Sequence, residues 1–318
     1  MTKAGGFSIA WILPAIALGG ALGVYAPVQS YALVALQWGA LALMVFLVVS
    51  SLPLLSVGKA LAKPRVLVPL FALNLVVVPL IAFVLSRMLW QAPELQVGLL
   101  LVLLAPGVAL SLSTAAQAGG DVESVLATKP LLLVGQLIVV PLYAVVLSTG
   151  AFRLEDLPPT FVVIAAVIVA PSLLALLWQG LGRKFPGAAS ARISLTRFTV
   201  PVISVAIALV LWNRVPGQLE HVEELYRLVP LFFAFLVLLA PIGLLAGILA
   251  SLSQAEKRAM MIVGAGRGGI IMLPIALALE VDVWGLVPLV VIVQLGIEVL
   301  GLLVYRSIVP EIVPSWGR

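Results

Sequence analysis

EKRAMMIVGAGRGGIIMLPIALAL, residues 256–279, is an apolar stretch interrupted at its centre by Gly264-Ala265-Gly266-Arg267-Gly268-Gly269. About ten residues of helix at 1.5 Å each put Arg267 roughly 15 Å from Lys257 and Arg258, near the midplane of a bilayer. A guanidinium at that depth costs several kcal/mol and neither snorkels far nor loses its proton, so it marks a functional position. Glycines on both sides allow the helix to unwind, and free backbone dipoles at that depth are tolerated only beside a polar cavity.

The rest of the chain has the same character. Hydrophobic residues make up 63% and charged residues 10%, and apolar runs near twenty residues recur from end to end. That excludes a soluble domain and predicts an all-α polytopic membrane protein. The absence of cysteine removes disulfides, thiolate metal sites and cysteine nucleophiles, and the single His221 falls in an acidic segment, Glu220–Glu224. No metal, cofactor or catalysis is expected: there are no paired intramembrane aspartates, no H-E-x-x-H, and no serine with a histidine at membrane depth.

Ten spans can be drawn, at about 7–26, 31–54, 66–89, 95–118, 122–149, 161–181, 193–212, 228–252, 258–279 and 283–305. The first follows Met1-Thr2-Lys3 without a cleavage pattern and reads as a helix, not a signal peptide. With the amino terminus inside, twelve of the eighteen Lys and Arg residues fall on the cytoplasmic face and four outside, leaving Lys129 and Arg267 in the membrane. This asymmetry predicts cytoplasmic termini in a cell (inner) membrane, and it makes the net charge of +5 a report of topology, not of nucleic-acid binding.

An internal repeat is legible. Val68-Pro69-Leu70-Phe71 recurs as Val229-Pro230-Leu231-Phe232 and Asp121-Val122 as Asp282-Val283, both 161 residues on. Five spans in each half, about 7–149 and 161–305, force the second half into the membrane upside down, an inverted repeat within one transporter domain spanning 1–318. The same offset carries Arg267 onto Pro106, where Pro106-Gly107 should interrupt the fourth span as well. Two interrupted helices at equivalent places point to a transporter's central site.

After that break come Ser111, Ser113, Thr114 and Gln117, a polar face in an apolar helix, although serine and threonine in such helices often bond only their own backbone. Asn74, Lys129 and Glu298 also lie at membrane depth. Lys129 is seven residues into its helix and Glu298 seven residues from the end of its own, so their depths match and they could pair.

These motifs resemble the bile acid:sodium symporter superfamily. Residues 105–111 (APGVALS) through Ala118-Gly119-Gly120-Asp121 are similar to its P-G-G-x-x-S-N…G-D stretch, and Ser124-Val125-Leu126-Ala127-Thr128 to its S-V-x-x-T. The resemblance implies ten helices in two inverted repeats, the fourth and ninth broken and crossing. It also implies a core of helices 3–5 and 8–10 flanked by a panel of 1, 2, 6 and 7. Sodium-using relatives carry an Asn directly after the fourth-helix serine, and on the ninth helix a Glu four residues before a Gln-Asn pair. Here those positions read Leu112, then Ile262, Gly266 and Arg267, so only Ser111, Thr128 and Asn74 match sodium ligands. The arsenite-efflux carriers are similar at Gly120-Asp121…Gln136 and around Ile297-Glu298-Val299, but rely on a cysteine that this chain lacks.

The expectation is therefore a secondary transporter of small organic anions working by alternating access, sodium-independent and coupled to protons. Substrate would meet Arg267, Gly266, Gly268, Gly269, Pro106, Gly107, Ser111, Ser113, Thr114 and Asn74, with two half-helix amino termini adding their dipoles. Lys129, Glu298, Thr128 and Gln136 would serve ion coupling, since a buried lysine can release a proton and a carboxylate at the same depth can take it. The alternatives are a sodium-coupled bile-acid-type symporter, a thiol-free arsenite or oxyanion efflux carrier, and a channel or sensory module. Nothing in the sequence points to an oligomeric state.

Overall fold

The computed structural model describes residues 8–52, 63–107, 109–153 and 160–314. In chain order its helices are α1 (Ile12–Tyr25), α2 (Tyr31–Ser51), α3 (Pro64–Leu89), α4 (Pro93–Leu104), α5 (Ala109–Gln117), α6 (Val122–Leu147) and α7 (Ile164–Lys184). There follow α8 (Pro186–Thr196), α9 (Thr199–Arg214), α10 (Leu228–Leu249), α11 (Gln254–Ala265), α12 (Leu273–Ala278), α13 (Val281–Trp284) and α14 (Val287–Ile312). Among the described residues none is in a β-strand. Seven stretches, formed by α2, α3, α7, α9, α10, α11 with α12, and α14, are long and apolar enough to cross a membrane. The chain is thus a multi-pass integral membrane protein.

Packing puts the interrupted span at the centre. Within Gln254–Ala278 the most apolar 18-residue window is 94% buried, against 22% for the corresponding window of α7. The broken helix is covered by protein, and α7 presents Leu173, Leu174 and Leu177 to lipid. The closest packing joins α9 to α1 and α2, α7 to α2 and α8, α10 to α11 and α14, α3 and α14 to α4, and α5 to α11.

Prolines shape the long helices in a repeated way. Pro79 cannot bond the Leu75 carbonyl four residues back, and the backbone widens into a π-helical turn over Leu73–Val77. The Tyr143 hydroxyl of α6 donates to that Leu75 carbonyl at 2.8 Å. In the second half of the chain Pro241 lies within α10, and the Tyr305 hydroxyl of α14 donates to the Leu236 carbonyl five residues before it. A second related pair of ties involves helix starts: the Asp121 amide donates to the Ala255 carbonyl at 2.9 Å, and the Leu286 amide to the Glu94 carboxylate at 2.9 Å.

Several boundaries differ from expectation. The ninth span begins at Gln254 instead of 258, because Ser253 and Glu256 form a reciprocal capping box. The seventh does not begin at 193: Ile193 belongs to α8, a separate helix with no buried residue, and α9 starts at Thr199. The tenth starts at Val287 instead of 283. Asp121 accepts a bond from the Ser124 amide as the cap of α6, whereas Asp282 lies exposed inside α13, so this sequence-matched pair does not share a local structure. Phe7, residues 53–54, Val108, Lys3, Lys59 and Arg318 lie outside the described residues.

Candidate functional site: the meeting of two helix breaks

Proline without an amide forces the residue before it out of the helical region, and Ala105 accordingly sits at φ −58, ψ 144, ending α4. The chain re-enters helix at Ala109. On the second broken span α11 stops at an extended Gly266, φ −69, ψ 132, and a short 3-10 turn, Gly269–Met272, leads into α12. Neither Gly107 nor Gly266 has a positive φ. What they supply is space, not the unwinding freedom expected from sequence: a Cβ on Gly107 would run into the Gly266 carbonyl oxygen, and one on Gly266 would strike Ser111. The two breaks are therefore in direct contact. Gly107→Ala should push backbone against backbone and lower stability by about 1–3 kcal/mol. A melt in detergent reads this, and an unchanged midpoint would mean that the breaks do not touch.

Three ionisable groups converge here. Arg267 is 2% exposed; its Nη2 donates to the Gly264 carbonyl, its guanidinium carbon lies 5.8 Å from the Phe235 ring centroid, and Nε and Nη1 have no partner. One Nη2 hydrogen is used, which leaves one complete two-donor edge of the guanidinium. Lys129, also buried, donates from Nζ to the Gly107 carbonyl at 2.6 Å, so the fifth span holds the backbone of the fourth at its break. Glu298 accepts from Gln294 Nε2 at 2.8 Å and faces the Arg267 amide, within electrostatic reach of both cations. Matched depth does not make Lys129 and Glu298 an ion pair: no carboxylate oxygen among the described residues lies within 4.0 Å of either Lys129 or Arg267.

The other expected site residues separate into those at the breaks and those beside them. Gly107, Ser111 and Gly266 form the contact itself, Pro106 is buried one residue before it, Gly268 lines a small cavity next to Arg267, and Gly269 opens the 3-10 turn. Asn74, Thr114 and Thr128 bond the carbonyls of Leu70, Leu110 and Val125 at 2.8, 3.1 and 2.7 Å, each within its own helix. Gln136 reaches the Leu104 carbonyl at 3.4 Å, the last of α4, and its Oε1 is unpartnered. Ser113 and Gln117 are exposed on the opposite side of α5 and meet each other. Sequence reading missed Gln294, whose i, i+4 spacing from Glu298 in an apolar helix was the available signal, and Phe235, which carries none.

Two cavities flank the site. A space of about 10 Å3 is lined by Val48, Leu110, Ile203, Arg267, Gly268, Ile270 and Glu298. It has room for about one water. A larger cleft of about 380 Å3 lies between α2, α8 and α9 on one side and α5 and α6 on the other, and Leu110 lines both.

Outside the spans, Asp121 anchors the turn between α5 and α6. Burial alone would raise its carboxyl, but the Ser124 hydroxyl and amide, the Lys63 ammonium and the Glu123 amide outweigh burial and hold it below its ordinary value. A depressed carboxyl stabilises the fold above the usual carboxylate range, and that contribution is lost as pH falls through the folded value.

A multi-pass helical protein with contacting helix breaks and buried charges at its centre belongs to the class of membrane transporters. Residues 38–215, more than half the chain, match the Sodium Bile acid symporter family, and the chain belongs to that family. No curated protein matches it. The matched stretch holds Gly107 and Lys129, whereas Arg267 and Glu298 fall beyond it.

Proposed function

We propose that this chain is a secondary transporter of small organic anions that works by alternating access. The observation that carries the reading is Arg267, buried at the meeting of two helix breaks with two N–H groups unpartnered and a cavity in front of it. A buried cation with unused donors favours a carboxylate, sulfonate or similar oxyanion. The resumed helix α5 adds its amino-terminal dipole to the same place.

In this reading α1, α4 with α5, and α6 join the seven long apolar stretches to make ten spans in two inverted repeats, both termini cytoplasmic. The paired tyrosine-to-carbonyl bonds and the paired ties at the helix starts support the repeat, since Tyr143 and Leu75 correspond to Tyr305 and Leu236 at nearly the offset of the VPLF motif. A panel of α1, α2, α7 and α9 moves against a core of the remaining spans. The cleft of about 380 Å3 lies open between panel and core on one side. At the other end the Arg214 guanidinium of α9 donates to the Leu277 carbonyl of α12 at 3.1 Å, closing the outer side.

Lys129 puts its ammonium on a break carbonyl, where a bound cation would otherwise sit, and with Glu298 it supplies two titratable groups at the site. Transport is then independent of sodium and linked to protons. A thermal-shift screen of purified protein against organic anions tests the reading. A ligand at a hundred times its dissociation constant should add about 2.7 kcal/mol of stability. Stabilisation by sodium with every anion inert would contradict it.

A further inference from the structure

Four residues of α14, Gln294, Glu298, Gly301 and Tyr305, follow one another at helical spacing and so share one face of the helix. The first two belong to the site already described, since Gln294 donates to Glu298 and Glu298 faces the Arg267 amide. The other two grip a single residue of α10. A Cβ on Gly301 would strike the Leu236 side chain, so that leucine sits in the notch the glycine leaves. One turn further on, the Tyr305 hydroxyl donates to the Leu236 carbonyl.

Leu236 directly follows Phe235, which is 1% exposed and whose ring centroid lies 5.8 Å from the guanidinium carbon of Arg267. Pro241 removes a backbone bond from α10, which weakens the coupling between the two ends of that helix. Past the proline the helix is fixed separately, because a Cβ on Gly243 would crowd the Met260 carbonyl of α11. The half that carries Phe235 is fixed by α14. A buried guanidinium at this distance from an aromatic face is attracted by the ring quadrupole. With Nη2 held by the Gly264 carbonyl, the ring is the second contact that sets where the unpartnered Nε and Nη1 point.

We infer that Gly301 and Tyr305 are positioning residues for Arg267: they hold α10 so that Phe235 meets the guanidinium and aims its free donors at the small cavity. The use of that aim in anion transport rests on the reading proposed above. The aim itself does not, and the deciding measurement needs no ligand.

Melting midpoints of purified protein in detergent, without added anion, are compared for Tyr305→Phe in the wild type and in Arg267→Ala. Tyr305 and Arg267 share no described hydrogen-bond partner, so a tyrosine with a merely structural role would lower the midpoint equally in both backgrounds. A tyrosine that acts through Phe235 should cost about half as much once Arg267 is gone, and Gly301→Ala should behave in the same way. In a Phe235→Leu background the effects of Tyr305→Phe and Arg267→Ala should simply add. Equal losses with and without Arg267, or a coupling that survives Phe235→Leu, would overturn the assignment. The anion that most stabilises the wild type then serves as the probe of function. Tyr305→Phe should raise the concentration needed for a given midpoint shift about tenfold, because the donors are no longer aimed. An unchanged concentration would overturn the role in binding. Coupling to Arg267 in a protein that no anion stabilises would leave the positioning standing and remove the transport reading.

Discussion

Arg267→Ala is expected to reduce anion uptake into proteoliposomes by at least about 30-fold at matched protein incorporation, which corresponds to about 2 kcal/mol, the lower end of what a buried charge-assisted contact supplies. Folding should be nearly unaffected. The side chain makes one described hydrogen bond, to the Gly264 carbonyl, and truncation removes a buried cation whose desolvation is only partly compensated. Arg267→Lys keeps the charge and loses the planar fork, so it should retain part of the activity. Full uptake by the alanine variant would show that Arg267 does not hold the substrate.

Replacing sodium with choline should leave uptake unchanged, and an uncoupler that collapses the proton gradient should abolish accumulation. Lys129→Met should act like the uncoupler and lower accumulation by about tenfold or more, because the one exchangeable cation on the Gly107 carbonyl is gone. The variant also leaves that carbonyl unpaired, at a cost of about 1–3 kcal/mol, so its melting point is measured alongside. Loss of uptake on sodium removal, with indifference to both the uncoupler and Lys129→Met, would restore sodium symport.

The centre of this protein was largely legible in its sequence because the signals there are local. Pro106 interrupts its helix for a reason that belongs to that residue alone, the Gly266 to Gly269 run stands out by its composition although what Gly266 supplies is room for Ser111, and a charge amid apolar neighbours, as at Lys129, Arg267 and Glu298, needs no partner to be noticed. Pairings were less legible. Depth along the membrane normal is one coordinate of three, and Lys129 on α6 turned to the Gly107 carbonyl while Glu298 on α14 turned to Gln294 and the Arg267 amide. Ser111 and Ser113 are two residues apart on a nine-residue helix, and only packing against Gly266 decides which faces the break. The capping box that starts α11 was readable as Ser253-x-x-Glu256, but a boundary drawn from hydrophobicity begins after the cap. Helix α8, with no buried residue, has no apolar stripe by which a pattern could find it.

The claim that an organic anion binds at Arg267 is tested most directly by comparing thermal stabilisation of the wild type and Arg267→Ala by the same anion. The account predicts a shift in the wild type that rises with anion concentration, and none in Arg267→Ala at concentrations that saturate the wild type. An equal shift in both proteins would place the anion elsewhere and contradict the assignment.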